Sequence, residues 1–517
     1  AAGGAAQDKP GIPVVKAAPK DGGTYTEPVS LTSPQQDMHT ALAQSIWHNL
    51  SERAMLPDPN TNEARPGLIE KWEIPDNTHF ILRVRQGVKI HNKAPWNGRE
   101  FSAEDLAFNI DRIAGNTAAA EGLQKSAFQR ANTFEGMSKI EVVDKSTVRI
   151  TMASPSSAWL KGFLEWRNVM MPKGIVEVGF KDPMAFASYG SFMMSEFVPN
   201  VREVFVKNPN YYRQGQPHLD KIVHTVVPDN AAAVAGFISK QFSILPSVTE
   251  QDIKTVKAAR PDALYYQTPG SQWLYIWPSA KYGAFQDARV RKAMQLAIDY
   301  QEMGEGFYGP GWEYTGLLFS GYQEAWKPDK IKTLPGYNPA TKAKDREDAN
   351  KLMAAAGHPN GQGVDFEIIT PTGTGVFAAH NDDALRFQSQ MQKAFPQMKP
   401  VMKPIPDRAQ FANVQASRNF HVQSYSSVSQ PDVVSEARSL YHSKGGRNYG
   451  NFAEPEADAL LDKALVEMDP KARAEIMNTF QQKAFDTWMP IFALYVEPKK
   501  AILQPNLGGY DKMVGPW

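Results

Sequence analysis

Residues 66–113 read PGLIEKWEIPDNTHFILRVRQGVKIHNKAPWNGREFSAEDLAFNIDRI and set out a strand, a loop and a helix in that order. Phe80, Leu82 and Val84 alternate with His79, Ile81, Arg83 and Arg85, the two-residue period of a strand with one apolar face. Gly87 breaks the run, and the polar stretch His91–Arg99 follows as a loop. Ser102 is placed to cap a helix with Asp105 at its third position, and Leu106, Ile110 and Ile113 then fall on one helical face.

The same signals recur on either side. Gly22–Leu31 reads as an opening strand and Ser45–Leu50 as a short amphipathic segment leading out of it, while Val204–Val206 and Ile222–Val227 read as later strands. Gly190, Pro209, Gly215 and Pro217 mark loops. Beyond Pro269 a short apolar run, Trp273–Trp277, precedes a helix capped by Asp287 whose Val290, Met294, Ala297 and Ile298 share a face. Ala349, Leu352, Met353 and Ala356 form another stripe ended by Gly357, with a strand at Phe366–Ile369, so the alternation predicts an α/β sheet. Toward the end, Leu460, Leu461, Ala464, Leu465 and Met468 share a helix face. Asp469 and Pro470 then start a second helix that buries Ile476, Met477 and Phe480, and Ile491–Val496 is strand-like. The sequence contains no internal repeat.

At 517 residues and 42% apolar, the chain has material for two or three domains. Lys and Arg number 56 against 55 Asp and Glu, and no block of five like charges occurs, which argues against nucleic acid as a partner. The absence of cysteine excludes disulfides, thiolate metal sites and a cysteine nucleophile, and it suits an oxidising compartment. No apolar stretch reaches the length of a membrane span. AAGGAAQDKPGIPVVKAAPK at the start has the composition of a flexible tether, taken here as residues 1–21.

The wording of the first stretch resembles one family. G-L-x-x-x-W-E at 67–73, F-x-L-R at 80–83, V-K-x-H at 88–91 and F-S-A-E-D-L-x-F-x-I-x-R-I at 101–113 are similar to the family 5 extracellular solute-binding proteins of ABC importers. NPNYYRQGQPHLDKIVHTVV (208–227), FQDARVRKAMQLAID (285–299), Tyr337–Gly363 and the C-terminal helical pair with its final strand (449–494) resemble further segments of that family in the same order. Tyr212 stands where tryptophan is usual, and Lys342–Asp348 is an added polar run.

The resemblance implies an α/β, bilobal periplasmic-binding-protein fold of the large peptide-binding type. Lobe I would comprise residues 22–267 and 485–517, with an insertion subdomain at about 45–175, and lobe II residues 268–484. It implies a receptor that closes by a hinge on a small organic solute and delivers it to ABC transporter permease subunits, as a monomer with no cofactor. The expected location is the periplasm or the outer face of the cytoplasmic membrane, with membrane association only through a lipid anchor on a cysteine upstream of the small-residue tail.

Catalytic signatures are missing. The ten histidines include no H-E-x-x-H or H-x-x-x-H spacing, and no G-x-S-x-G elbow or Walker-type phosphate loop occurs. Gly373 and Gly375 lack the spacing for a phosphate cradle, and the acidic pairs Glu104–Asp105 and Asp382–Asp383 point apart. A binder is expected and a hydrolytic enzyme is the alternative from another class.

Ligand contacts are expected among the aromatics, which make up 11% of the chain. Trp273, Tyr275 and Trp277 alternate and share a strand face, on a strand that the family sets against its cleft, with core packing as the alternative. Trp47, His48 and Asn49 correspond to a second cleft-facing region. Trp166 and Arg167 correspond to a third, where the arginine meets either an anionic ligand group or an ion-pair partner. Tyr425–Asp432 (YSSVSQPD) resembles the W-x-x-D-x-x-D-P segment whose first aspartate grips a peptide's amino terminus in peptide-binding members, with Ser427 at that place. Gly190–Met194 (GSFMM) replaces G-T-G-P-Y. Loss of the carboxylate moves the expectation from ordinary peptides toward a less charged, aromatic or sugar-like solute. The alternatives are a dipeptide or oligopeptide receptor and a nickel or metal-chelate receptor using His48, His421 or Arg167.

Overall fold

The computed structural model describes residues 18–30, 32, 36–40, 47–58, 63–128, 130–372 and 376–509. The expected tether falls outside these, apart from its last few residues. The chain divides into two compact units, the first running to Tyr266 and resuming at Lys500, the second spanning Gln267–Lys499.

In the first unit, β1 (Thr24–Val29) leads to the short helix α1 (Trp47–Leu50). An antiparallel sheet follows, built from β2 (Ile69–Asp76) and β3 (His79–Val84), then, after helix α2 (Ala103–Ile113), from β4 (Met137–Asp144) and β5 (Thr147–Met152), in the order β2-β3-β5-β4. The strand, loop and helix of the opening stretch thus fold as read, and Ile69–Asp76 adds a strand that the reading did not name. Phe80, Leu82 and Val84 are buried, and Asp105 Oδ2 accepts hydrogen bonds from the Ser102 backbone N–H at 2.9 Å and from its hydroxyl at 3.0 Å. A second sheet, ordered β1-β8-β7-β6, contains β6 (Phe192–Val198), β7 (Arg202–Lys207) and β8 (Lys221–Val226), with β1 parallel to β8 and the rest antiparallel. Both sheets contribute to one hydrophobic cluster that includes Leu50, Phe80, Leu106, Ile150, Phe205 and Ile222. β9 (Ile244–Pro246) lies between helices at Asn230–Ile238 and Glu250–Ala259, which complete this part of the first unit.

β10 (Leu264–Pro278) carries the chain from one unit into the other. It is longer than the Trp273–Trp277 run suggests and continues through Pro269. At Gly270 an added Cβ would lie 2.9 Å from the Glu497 carbonyl oxygen, so the absent side chain is what lets the neighbouring backbone approach. The second unit continues with α3 (Ala288–Ala297), α4 (Lys342–Ala355), β11 (Asp365–Pro371), α5 (Val376–Ala394), β12 (Lys399–Ile405), α6 (Arg408–Ser417), β13 (Val422–Val428), α7 (Val433–Tyr441), α8 (Pro455–Val466) and α9 (Pro470–Lys483). β10 pairs antiparallel with β13, β13 parallel with β11, and β11 parallel with the edge strand β12. The caps read from sequence are present: Asp287 accepts from the Arg289 N–H at 2.8 Å, and Asp469 from those of Lys471 and Ala472 at 3.0 and 2.8 Å.

β14 (Phe492–Leu503) returns the chain to the first unit. Tyr495 and Val496 still pair with Tyr314 and Glu313 of the second unit, and only Ala501–Leu503 pair with β9. The division between the two units falls within this strand, at Lys499–Lys500.

Candidate functional site

Cross-strand pairing gathers one group of candidate residues. Trp273 lies opposite Ser427, Tyr275 opposite Tyr425 and Trp277 opposite Gln423, so these side chains project from the same face of the β10/β13 ladder. Ring centroids of Trp273 and Tyr275 are 5.4 Å apart and those of Tyr275 and Trp277 5.3 Å, both edge-on. Tyr425 is half-buried and Ser427 buried. Trp273 and Trp277 are 0% exposed and Tyr275 2%, so none of these three rings faces solvent.

The packing explains that burial. The Trp273 indole N–H donates to Glu436 Oε1 on α7 at 3.1 Å, and Glu436 Oε2 accepts from the Tyr322 hydroxyl at 2.5 Å and the Gln430 N–H at 2.6 Å. Burial pushes the Glu436 carboxyl above its ordinary range, outweighing the Arg447 charge and these hydrogen bonds. Trp277 lies against Gly450, where an added Cβ would sit 2.0 Å from the indole nitrogen. The two tryptophans therefore pack as buried supports on either side of Tyr275.

Sequence reading missed Arg447, which reaches this group from the loop after α7. Its Nη1 donates to Ser427 Oγ at 2.9 Å and its Nε to Ser439 Oγ at 3.0 Å, while Nη2 is buried with no hydrogen-bond partner. Gln423 Nε2 and Trp277 Nε1 on the same ladder face, and Gln430 Oε1 beside Glu436, are also buried without partners. Unsatisfied polar atoms are uncommon in a folded interior; others lie elsewhere in the chain, at Gln36 and Tyr189 for example, and on this face they include a guanidinium nitrogen. The only signal in the sequence was an arginine in the glycine-containing loop GGRNYGN (445–451).

The first unit holds the other candidates. An added Cβ on Gly190 would lie 2.3 Å from the Leu50 carbonyl carbon and 2.5 Å from the Asn49 carbonyl oxygen, so glycine is needed for α1 to sit beside the strand that begins at Phe192. Asn49 is half-buried there, and the side chains of Trp47 and His48 lie outside the described residues. Arg167 Nε donates to Glu165 Oε1 at 2.6 Å, with its guanidinium 5.1 Å from the Trp166 ring centroid. Burial pushes the Glu165 carboxyl up, but Arg167, supported by Arg130, outweighs it and holds the group below its ordinary value. Arg167 is thus engaged in an intramolecular ion pair. His421 Nδ1 accepts the Glu367 N–H at 3.2 Å, and among the described residues no three His, Asp or Glu side chains gather in a metal-binding arrangement.

Known proteins share this design. The profile of "Bacterial extracellular solute-binding proteins, family 5 Middle" matches residues 63–450. Heme-binding protein A of Haemophilus influenzae is 24% identical over 508 residues, covering 92% of this chain and 87% of that protein. The dipeptide-binding protein of Escherichia coli is 25% identical over 352 residues, covering 64% and 61%. The crystal structure of the substrate-binding protein CtaP of Listeria monocytogenes superposes with a TM-score of 0.77 at 19% identity, covering 95% of this chain and 96% of that one, which establishes a common fold.

Proposed function

The chain belongs to family 5 of the bacterial extracellular solute-binding proteins, which serve ABC importers, and we propose that it holds its solute against the β10/β13 face of the second unit. Tyr425, Ser427, Arg447 and the half-buried Tyr449 are the contacts in this reading, with the buried Tyr275 packed against Tyr425 and held by Trp273 and Trp277. The observation that carries it is the concentration on one face of aromatic rings, a hydroxyl-anchored arginine and buried polar atoms without partners.

Capture works by a shift between open and closed states. The chain passes between the units at Tyr266–Gln267 in β10 and at Lys499–Lys500 in β14, and these two strand crossings are the proposed hinge. Moving a population from 1:99 to 99:1 takes about 5.5 kcal/mol of differential affinity. Aromatic contacts of about 0.5–1.5 kcal/mol each, with hydrogen bonds of about 0.5–1.5 kcal/mol, reach that sum. The loaded receptor then docks on its permease outside the cytoplasmic membrane and releases the solute unchanged. The dipeptide-binding relative favours a peptide as the second reading of the solute.

Mass spectrometry of small molecules released by denaturing the purified protein, followed by calorimetric rebinding, tests the receptor. One species that is released, rebinds and is recovered at its original mass is expected. Chemical conversion of that species would refute the reading.

A further inference from the structure

We infer that Arg447 makes this face an anion subsite, so that the solute carries a carboxylate or a comparably planar acidic group. The inference rests on the proposed location of the solute. Three features of the guanidinium point to it. Its Nε and Nη1 are held by neutral hydroxyls, those of Ser439 and Ser427, which orient the fork without neutralising it. Its Nη2 is buried and unpartnered. No ion pair joins it to a carboxylate among the described residues, in contrast to Arg112 with Asp37 and Glu121, or Arg473 with Glu324 and Asp432.

A buried guanidinium donor without a partner forfeits a charge-assisted hydrogen bond; the Glu436 carboxyl feels the Arg447 charge, but its oxygens are taken up by Trp273, Tyr322 and Gln430 and burial pushes it toward the neutral form. Arginine's planar fork matches a carboxylate in a way lysine's point charge does not. The surroundings add apolar rings: Tyr275, Tyr441 and Tyr449 all lie close enough to feel the Arg447 charge. A ligand that pairs with Nη2 beside these rings has an acidic group next to a flat or apolar body. The Ser427 hydroxyl accepts from the arginine and, being neutral, leaves the positive charge of the guanidinium in place.

Benzoate and its neutral isostere benzamide are the probes, titrated into the full chain and followed by thermal shift and calorimetry. Benzoate should bind measurably and benzamide at least tenfold more weakly. Arg447→Met should lower benzoate affinity about ten- to hundredfold, and Arg447→Lys should fall between, as expected for loss of one charge-assisted contact. Circular dichroism of each variant verifies folding, and Ser427→Ala, which keeps the charge but frees the fork, should weaken benzoate by a smaller factor. Equal affinity for benzoate and benzamide, or unchanged benzoate affinity in folded Arg447→Met, would overturn the inference. The solute released from the purified protein separates this from the reading beneath it. If that solute binds Tyr425→Ala as well as the parent, the location is wrong. If its affinity depends on Tyr425 but not on Arg447, only the anion subsite falls.

Discussion

Gly450→Ala tests whether Trp277 is a fixed support or a movable wall. The added Cβ would lie 2.0 Å from the indole Nε1 and 2.4 Å from Cδ1, well inside contact distance, and the ring it meets is 0% exposed. Gly450 cannot retreat easily, because its carbonyl accepts the Ala280 N–H at 2.7 Å. Nor can the ring, since Tyr275 lies 5.3 Å away on one side and Tyr449 6.0 Å on another. Inserting a methyl into a site so confined costs about 1–3 kcal/mol, and we expect a loss near the upper end. Urea unfolding followed by circular dichroism measures it, with the transition of the second unit fitted separately if the two units unfold apart. Trp277→Phe in the same background shortens the ring, and the double variant should recover about 1 kcal/mol through coupling of adjacent sites. Solute affinity should fall with the single variant, because a displaced Trp277 displaces Tyr275. A stability change below about 0.5 kcal/mol, or no recovery in the double variant, would refute the reasoning and leave Trp277 free to turn toward a ligand.

Gly190→Ala should destabilise the first unit by about 1–3 kcal/mol, since the Cβ meets Asn49 and Leu50 backbone that no side-chain rotation can move; urea midpoints check it. Asp383 is buried on α5, accepts the Tyr495 hydroxyl at 3.1 and 3.0 Å, and has its carboxyl pushed well above the ordinary range by burial. The folded chain therefore keeps a proton that the unfolded chain gives up, and this group's contribution falls as pH rises above about 3.9, by at most about 1.4 kcal/mol per pH unit. Asp383→Asn should match the parent at the acid end and gain on it steadily toward neutrality in urea midpoints; a constant difference would show the carboxylate ionised in the fold. Trp273→Phe removes one of the donors to Glu436 and should cost about 1–2 kcal/mol, read by the same denaturation. Small-angle scattering should report a smaller radius of gyration at saturating solute, and an unchanged radius would count against hinge closure.

What the sequence disclosed was local. Ser102 with Asp105, Asp287, and Asp469 with Pro470 announce helices because capping chemistry acts within a few residues, and the alternation at Phe80–Val84 announces its strand for the same reason. β12 was not legible, since Pro400 and Pro404 argue against a strand until its position at the sheet edge is known, where a missing N–H is tolerated. The added polar run Lys342–Asp348 forms the first turns of α4. There the buried Lys342 ammonium donates to the carbonyls of Ile298 and Gly336, and no short window reveals such partners. At the candidate site, the shared face of Trp273, Tyr275 and Trp277 followed from their spacing. Their burial did not, because it depends on α7 and Gly450, which lie more than a hundred residues along the chain. Arg447 was hidden for the same reason: its hydroxyl partners come from β13 and α7, brought to it only by folding.

A crystal structure of the protein with the solute released from it would test the central claim most directly. The account predicts the solute within about 4 Å of Tyr425 and Ser427, with an acidic group on Arg447 Nη2 and its covalent structure intact. A solute seated away from the β10/β13 face would contradict it.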